Sequence, residues 1–524
     1  MKFQFSFISL FLVLIFGCLP PLPGQEVSLA KVWKDGRYGF IDVYGREVIP
    51  EIYDNLKEFS EGMLPVNFGA RQQEPRTGGL WGYCDTRGNI VVKMEYQEAG
   101  QFKEGKARVK LHGKWGFINR NGDRVIPLKY DDCGSFKGGI APVKVGMKWG
   151  FINSGGYEFI QPQFDYAYGF SDNGLARVVV GPAGFTREGI PSGGSYGLIN
   201  AQGSWVLEPV FDFIGPFLEG MAQVRIGDSI GFINRDGNLT VTPRYAAAFD
   251  FNGGRCRVIE RTVEIEEFAS YAERKKYESL VKVMGQKTRD AGNDPQALSR
   301  VFETPEAQQL SLIQANRQNF RDTYGFIDIR GKTVVPCVYQ WADDFKNGFS
   351  KACITRQEPR PATYARGGFA ENNGPAEQLL SETLQLKRYG IINRNGETVL
   401  PFIYHEVFQY EDNVLVVRDQ AGGKVRAITM EGEELIPAWH EHLVYLGDGF
   451  FSFRNGQTTG VIHLSNIRHT LITSQEVIEV SYLGKQRFRV KTRRGTQGIM
   501  DIYGNWILRP DYAGISDFKS VQIR

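Results

Sequence analysis

The hexapeptide Lys-Trp-Gly-Phe-Ile-Asn stands at 114–119 and again at 148–153, 34 residues later. Self-similarity at such a period marks an array whose units bury their apolar faces only against one another, which narrows the fold more than any local pattern does. Aligned on the residue before the glycine, the motif recurs as Tyr38-Gly39, Trp81-Gly82, Trp115-Gly116, Trp149-Gly150, Tyr196-Gly197, Ile230-Gly231, Tyr324-Gly325, Tyr389-Gly390 and Gln497-Gly498. Worn copies near Ala427 and Gly460 bring the number of units to ten or eleven.

Each well-kept unit carries three apolar segments separated by turn residues. Between 115 and 145 these are Trp115 to Ile118, Arg124 to Pro127 and Ala141 to Val145. Asn119-Arg120-Asn121-Gly122 is a hairpin signal, because Asn and Gly accept left-handed backbone, so the first two segments are expected to pair antiparallel. Pro127 closes the second segment, as Pro50, Pro162 and Pro209 do in other copies. A proline kept at one phase marks a strand end or an edge. An aromatic and often Asp follow, as in Tyr53-Asp54, Tyr130-Asp131, Phe164-Asp165 and Phe211-Asp212, and then Phe59, Phe102, Phe136 or Phe170, which are expected to fill the space between units. The third segment reads Gly-x-Ala-x-Val, as in Gly105, Ala107 and Val109. Its alternation is that of a half-buried strand, and its small residue says that another backbone lies close.

The fold expected is an all-β repeat protein, a curved, solenoid-like array of about ten three-stranded units with propeller-like closure as the alternative. Closure arises as an alternative because the chain opens on a third segment at Ala30-x-Val32 and ends just past Phe518, near where the last third segment would fall. The recurring Trp-Gly-Phe-Ile-Asn/Asp, Val-Ile-Pro, Tyr-Asp and Gly-x-Ala-x-Val elements resemble the bacterial WG (KWG) β-repeat family over roughly 30–260, 322–355 and 385–520. That resemblance implies a repeat scaffold, often with a signal peptide. It supplies no catalytic residues, so Trp81, Gly82, Trp115, Gly116, Trp149, Gly150, Tyr196, Gly197, Tyr324, Gly325, Tyr389 and Gly390 carry over as structural positions.

The chain divides into a signal peptide at 1–25, N-terminal repeats at 26–260, a helical insertion at 261–321 and C-terminal worn repeats at 322–524. Met1-Lys2 and the apolar run from Phe3 to Leu19 have the form of a secretory leader. Ile15-Phe16-Gly17-Cys18 resembles a lipobox, which makes Cys18 a candidate for lipidation. The expected location is secreted, periplasmic or in the cell envelope, with lipid anchoring on Cys18 as a variant. Between 263 and 320, Phe268, Tyr271, Leu280, Val281 and Met284 recur at helical spacing, and Asp294-Pro295 and Thr304-Pro305 read as helix starts. Two or three helices are expected there. A further insertion at 357–386 is read as a polar loop and a short helix around Ala376 to Leu384, and Arg187 to Ser195 as a loop.

Chemistry is sparse. Lys and Arg number 62 against 59 Asp and Glu, a net charge of +3 that gives no basis for nucleic acid or an anionic membrane as partner. Cys84, Cys133, Cys256, Cys337 and Cys353 show no metal spacing and read as small buried hydrophobes, with room for one disulfide. His440, Glu441 and His442 lack the spacing of a zinc hydrolase and read as a surface turn. Asp54, Asp131, Asp165 and Asp212 recur at one phase, which suits turns or caps better than one asymmetric catalytic or calcium site. Trp33, Trp205, Trp341, Trp439 and Trp506 fall outside the motif and are candidates for an exposed platform. The function expected is a non-enzymatic extracytoplasmic scaffold binding a protein or glycan, without cofactor or metal. The alternative is a cell-envelope hydrolase, or its accessory subunit, with a site beside the helical insertion.

Overall fold

A computed structural model describes residues 26–70, 78–187, 189–263, 271–292, 294–315, 320–359 and 383–522. The leader at 1–25 and Cys18 lie outside them. Among the described residues the chain forms eleven small antiparallel sheets, a two-stranded ribbon and three helices. They fall into two compact units, one of Met1–Gly146, Ile152–Tyr157 and Glu476–Arg524, the other of Met147–Phe151 and Glu158–Gln475. None of the described helices is long and apolar enough to cross a membrane.

In the first unit, four successive strands show the plan: Glu98–Ala99, Lys106–Leu111, Lys114–Asn119 and Arg124–Tyr130, each antiparallel to the next. The two-residue opening strand makes four strands where three were expected; two residues are too few to show a periodicity. His112 (φ 51°) and Gly113 (φ 78°) close the tight turn between the second and third strands. The motif's final Asn works through its side chain: Asn119 Oδ1 accepts from the backbone N–H of Asn121 (3.0 Å) and Asp123 (2.9 Å), while Gly122 alone takes positive φ. Asp42, Asp85 and Asp501 do the same.

Pro127 sits inside the fourth strand, at a bulge. Trp115 pairs with Tyr130 and Phe117 with Ile126, so two steps along the third strand span four along the fourth. That strand is the sheet's edge, where the missing N–H of proline leaves no ladder bond unmade. The bulge folds the Ile126 carbonyl onto Gly116: a Cβ there would lie 2.6 Å from its oxygen. At Gly39 the distance to Ile49 O would be 2.5 Å, and at Gly82 to Val92 O 2.4 Å. The motif's glycine is thus required by a close backbone approach, not by its own dihedral angles.

Aromatic rings join neighbouring sheets. Phe40 meets Phe59, Tyr83 meets Phe102 and Phe117 meets Phe136, with centroids 4.7–5.2 Å apart in edge or tilted contact, always nineteen residues along the chain. Tyr83, Phe102, Ala107, Val109 and Ile118 share one buried cluster, which places the Gly-x-Ala-x-Val strand against its neighbour as expected. The first and last of the described strands share a sheet. Glu26–Lys34 pairs on one side with Arg37–Asp42 and on the other with Gly514–Ile515 and Lys519–Gln522. The opening third segment and the final segment thus complete one sheet, as their phase in the sequence allowed.

The second unit repeats the plan, with Phe151–Phe170, Phe232–Phe251 and Phe326–Phe345 as its ring pairs. Its helical insertion rises from a lengthened hairpin, Arg255–Val263 with Phe320–Asp328, and holds α1 (Tyr271–Ala291), α2 (Pro295–Phe302) and α3 (Pro305–Ala315). Asp294 caps α2 by accepting from Gln296 N (3.0 Å), with Pro295 in the first turn. Lys287 and Glu306 tie α1 to α3 at 2.8 Å. Leu298 of α2 is fully buried among Tyr196, Leu207 and Phe211, so the insertion shares the core and α2 covers the edge strand Trp205–Phe211. The loop expected at Arg187 to Ser195 carries one strand of the ribbon, Pro191–Ser192, which pairs with Gly184–Phe185 just before it. The later insertion continues a second long hairpin, Phe349–Pro359 with Thr383–Asn393. Most of the helix expected at 376–384 falls outside the described residues; Thr383 and Leu384 lie in a strand.

Candidate functional site

Several copies of the repeat neutralise their own charges in one of two ways. A cation just before the motif's aromatic meets the Asp seventeen residues on: Arg37 with Asp54 at 3.3 Å, Lys114 with Asp131 at 2.5 Å and Lys148 with Asp165 at 2.6 Å. The same Asp caps the next turn, accepting from Gly146 N (2.8 Å) at Asp131 and from Gly181 N (2.9 Å) at Asp165. The lysine hydrogen bonds hold both carboxyls below their usual range. These aspartates are caps, as the sequence led one to expect. The second device is a cross-strand pair between the short first strand and the second: Glu98–Lys110 at 2.9 Å, Glu406–Arg418 at 3.0 Å and Glu479–Lys491 at 4.0 Å.

Both devices fail beside the helical insertion, where a groove of about 830 Å³ opens in the second unit. Its walls include Asp212, Arg225, Asp228, Arg244, Arg261 and Ser311 of α3. Ser195 stands where Asp212 would find its lysine, so Asp212 keeps only the turn bond from Gly227 N (2.7 Å). Phe213 stands opposite Arg225 in place of a glutamate, and the guanidinium lies 6.0 Å from its ring. In the next copy Ser229 and Ala246 replace both partners of the Lys–Asp pair, and Ile230 replaces the motif tryptophan. Arg244 is held over the Tyr245 ring at 4.8 Å and donates to its hydroxyl (2.6 Å). Arg261 differs: Asp322 takes its Nε and Nη2, both at 2.8 Å, which holds its guanidinium pKa up. Arg225, Arg244, Asp212 and Asp228 make no ion pair among the described residues. The substitutions are visible in the sequence, but the groove beside them is not.

The predicted structural positions behave as packing. Trp115, Trp149 and Tyr196 are buried, Trp81, Tyr324 and Tyr389 partly so, and Gly82, Gly116, Gly150, Gly197, Gly325 and Gly390 each lie under a neighbouring backbone carbonyl. Among the platform candidates, Trp205, Trp439 and Trp506 are about two-fifths exposed (38%, 42% and 39%). Two of them are partly committed, since the rings of Trp205 and Trp506 cover Gly197 and Gly498. Trp341 lines a smaller hollow of about 430 Å³ with Tyr389 and Phe408, but Lys351 sits 4.9 Å over its ring. Trp33 packs against Tyr38. His440 is no surface turn: it ends a strand, is buried against the Phe453 ring and bonds Asn455 at 3.1 Å, while His442 opens the next strand. The five described cysteines are unpaired, and burial pushes the Cys84, Cys133, Cys256 and Cys337 thiols up to about 12. No group of three potential ligands stands ready for a metal among the described residues.

The WG containing repeat matches at 38–70, 81–115, 115–149, 149–181, 196–228, 230–260, 324–354 and 389–422, half of the chain. The chain belongs to the WG repeat family. The motif glycines of the eight matches, Gly231 among them, all meet a backbone carbonyl in the way described above. No curated protein matches the chain. Among solved structures it is similar to the tricorn protease (9% identity, TM-score 0.24), covering 94% of this chain but 47%, under half, of that one. It is also similar to Hsv2 of Kluyveromyces lactis (6%, 0.25, covering 55% and 71%) and to BamB from Moraxella catarrhalis (11%, 0.24, covering 67% and 81%). Scores at this level carry no argument about activity.

Proposed function

We propose that this WG repeat protein is a non-enzymatic extracytoplasmic scaffold that engages a protein or glycan partner through the groove beside the helical insertion. The observation that carries the reading is a groove whose walls hold Asp212, Arg225, Asp228 and Arg244, exposed and without an ion pair among the described residues. Ser229, Ile230 and Ala246 on its walls stand where the copies at 38, 115 and 149 place a cation, an aromatic and an aspartate, and Ser195 leaves Asp212 without the cation that those copies supply. Loss of the indole at Ile230 also removes the bulk that Trp115 and Trp149 supply at that position. The apolar leader supports the extracytoplasmic location, and the repeat's extended surface supports a binding role.

Ile230→Trp restores the residue that the repeat tolerates elsewhere and narrows the groove. The full-length protein and this variant are immobilised and exposed to an envelope lysate and a glycan panel, with captured species identified by mass spectrometry. A saturable partner retained by the native chain and lost by the variant, at unchanged circular dichroism, is the expected result. Equal capture by both would remove the groove from the reading. Turnover of a glycan by the native protein alone would bring forward the hydrolase alternative beside the insertion.

A further inference from the structure

We propose that the groove takes a zwitterionic ligand, its carboxylate held by Arg225 and Arg244 and its ammonium by Asp212 and Asp228. The inference rests on the groove being the binding site and names the chemistry that it recognises. Two cations and two carboxylates stand exposed on the same groove without ion-pair partners among the described residues. Arg261 is not counted with them, because Asp322 occupies its fork. An anion alone would meet Arg225 beside Asp212, whose backbone N–H bonds the Arg225 carbonyl at 2.9 Å; a cation alone would meet the converse repulsion. A ligand carrying both signs satisfies both sets.

The chemistry of the four groups fits that division. Guanidinium groups bind carboxylates through paired hydrogen bonds, and carboxylates accept from ammonium. Arg225 and Arg244 lie over the Phe213 and Tyr245 rings, which limits the side-chain freedom they lose on binding. The hydroxyls of Ser229 and Ser311 add neutral donors and acceptors to the same walls. The volume suits a short peptide or an amino sugar bearing an acid.

Calorimetric titration of the full-length protein uses trialanine, its N-acetyl and C-amide forms, and muramic acid as a zwitterionic sugar. Trialanine or muramic acid is expected to bind, and for the peptide each cap is expected to weaken binding roughly ten-fold, the loss of one charge-assisted contact. Arg225→Gln should abolish discrimination against the amide only, and Asp228→Asn against the acetylated form only. Binding by the peptide or by the sugar identifies the source of the shared chemistry. Capped forms that bind as well as trialanine, or no binding by either zwitterion, would overturn the proposal. If neither binds while Ile230→Trp still abolishes partner capture, the ligand chemistry is wrong and the groove stands; if capture survives Ile230→Trp, the groove itself fails.

Discussion

Replacing Gly116 by alanine should cost far more than replacing Gly113, three residues earlier in the same hairpin. At Gly116 the new Cβ would sit 2.6 Å from Ile126 O and 2.7 Å from the carbonyl carbon and oxygen of Pro127, all backbone atoms that no rotamer can withdraw. The edge strand must retreat by more than half an ångström. Backing it away weakens about two ladder hydrogen bonds at roughly 1 kcal/mol each and disturbs the packing of buried Ile126 by a further 1–2 kcal/mol, about 3–4 kcal/mol in all. At Gly113 the Cβ meets nothing within 4 Å, and only the positive φ of 78° is strained, worth roughly 1 kcal/mol. An array of small sheets need not unfold in one step, so a global midpoint is the wrong measure. Hydrogen exchange of the segment Lys114–Tyr130 reads local opening directly. Gly116→Ala should lower its protection by roughly two orders of magnitude or more and Gly113→Ala by about ten-fold or less. Equal losses, or full protection in Gly116→Ala, would show that the bulge does not require the glycine.

Leu298→Ala removes a fully buried side chain that ties α2 to the core around Phe211, so a loss of about 2–4 kcal/mol is expected in local exchange of Trp205–Phe211. An exposed-site value below about 0.5 kcal/mol would mean that the helices only rest on the sheet edge. His440 has its pKa lowered, chiefly by burial, so the unfolded chain binds its proton more readily than the folded one. Its contribution is therefore whole above the unfolded value near 6.5 and falls as pH drops below it, levelling off under the folded pKa. Exchange protection of Glu434–His440 and Phe450–Asn455, corrected for the intrinsic pH dependence of exchange, should fall between pH 7.5 and 5 in the native protein and fall less in His440→Phe; identical slopes would remove His440 from the effect.

Much of this architecture could be read from spacing alone. The period, the hairpin at Asn119 to Gly122 and the Asp caps follow from residues whose local chemistry leaves few choices. Asp294-Pro295 announced α2 because capping is a matter of adjacent residues. The opening strands, such as Glu98–Ala99, escaped because two residues carry no periodicity and are held by their neighbours' carbonyls and amides. His440 was misplaced because polarity alone pointed to solvent, whereas the Phe453 ring and Asn455 make burial tolerable. The groove escaped for another reason: Ser229, Ile230 and Ala246 stand far along the chain from Ser311, and only the fold brings them to one wall.

Glu26–Lys34 and Gly514–Ile515 are partners almost 500 residues apart, as the bond from Ala513 N to Trp33 O at 2.9 Å shows. On the ribosome the early strand can find Arg37–Asp42 at once, but its other edge stays bare until the strands at Gly514–Ile515 and Lys519–Gln522 have been made. At tens of residues per second or fewer, that is an interval of roughly half a minute to two minutes. During it an open β edge is offered to any other nascent chain. A helper that shields such edges, or export ahead of folding, would answer the same need, and Gly514–Ile515 with Lys519–Gln522 act as the latch that ends the exposure.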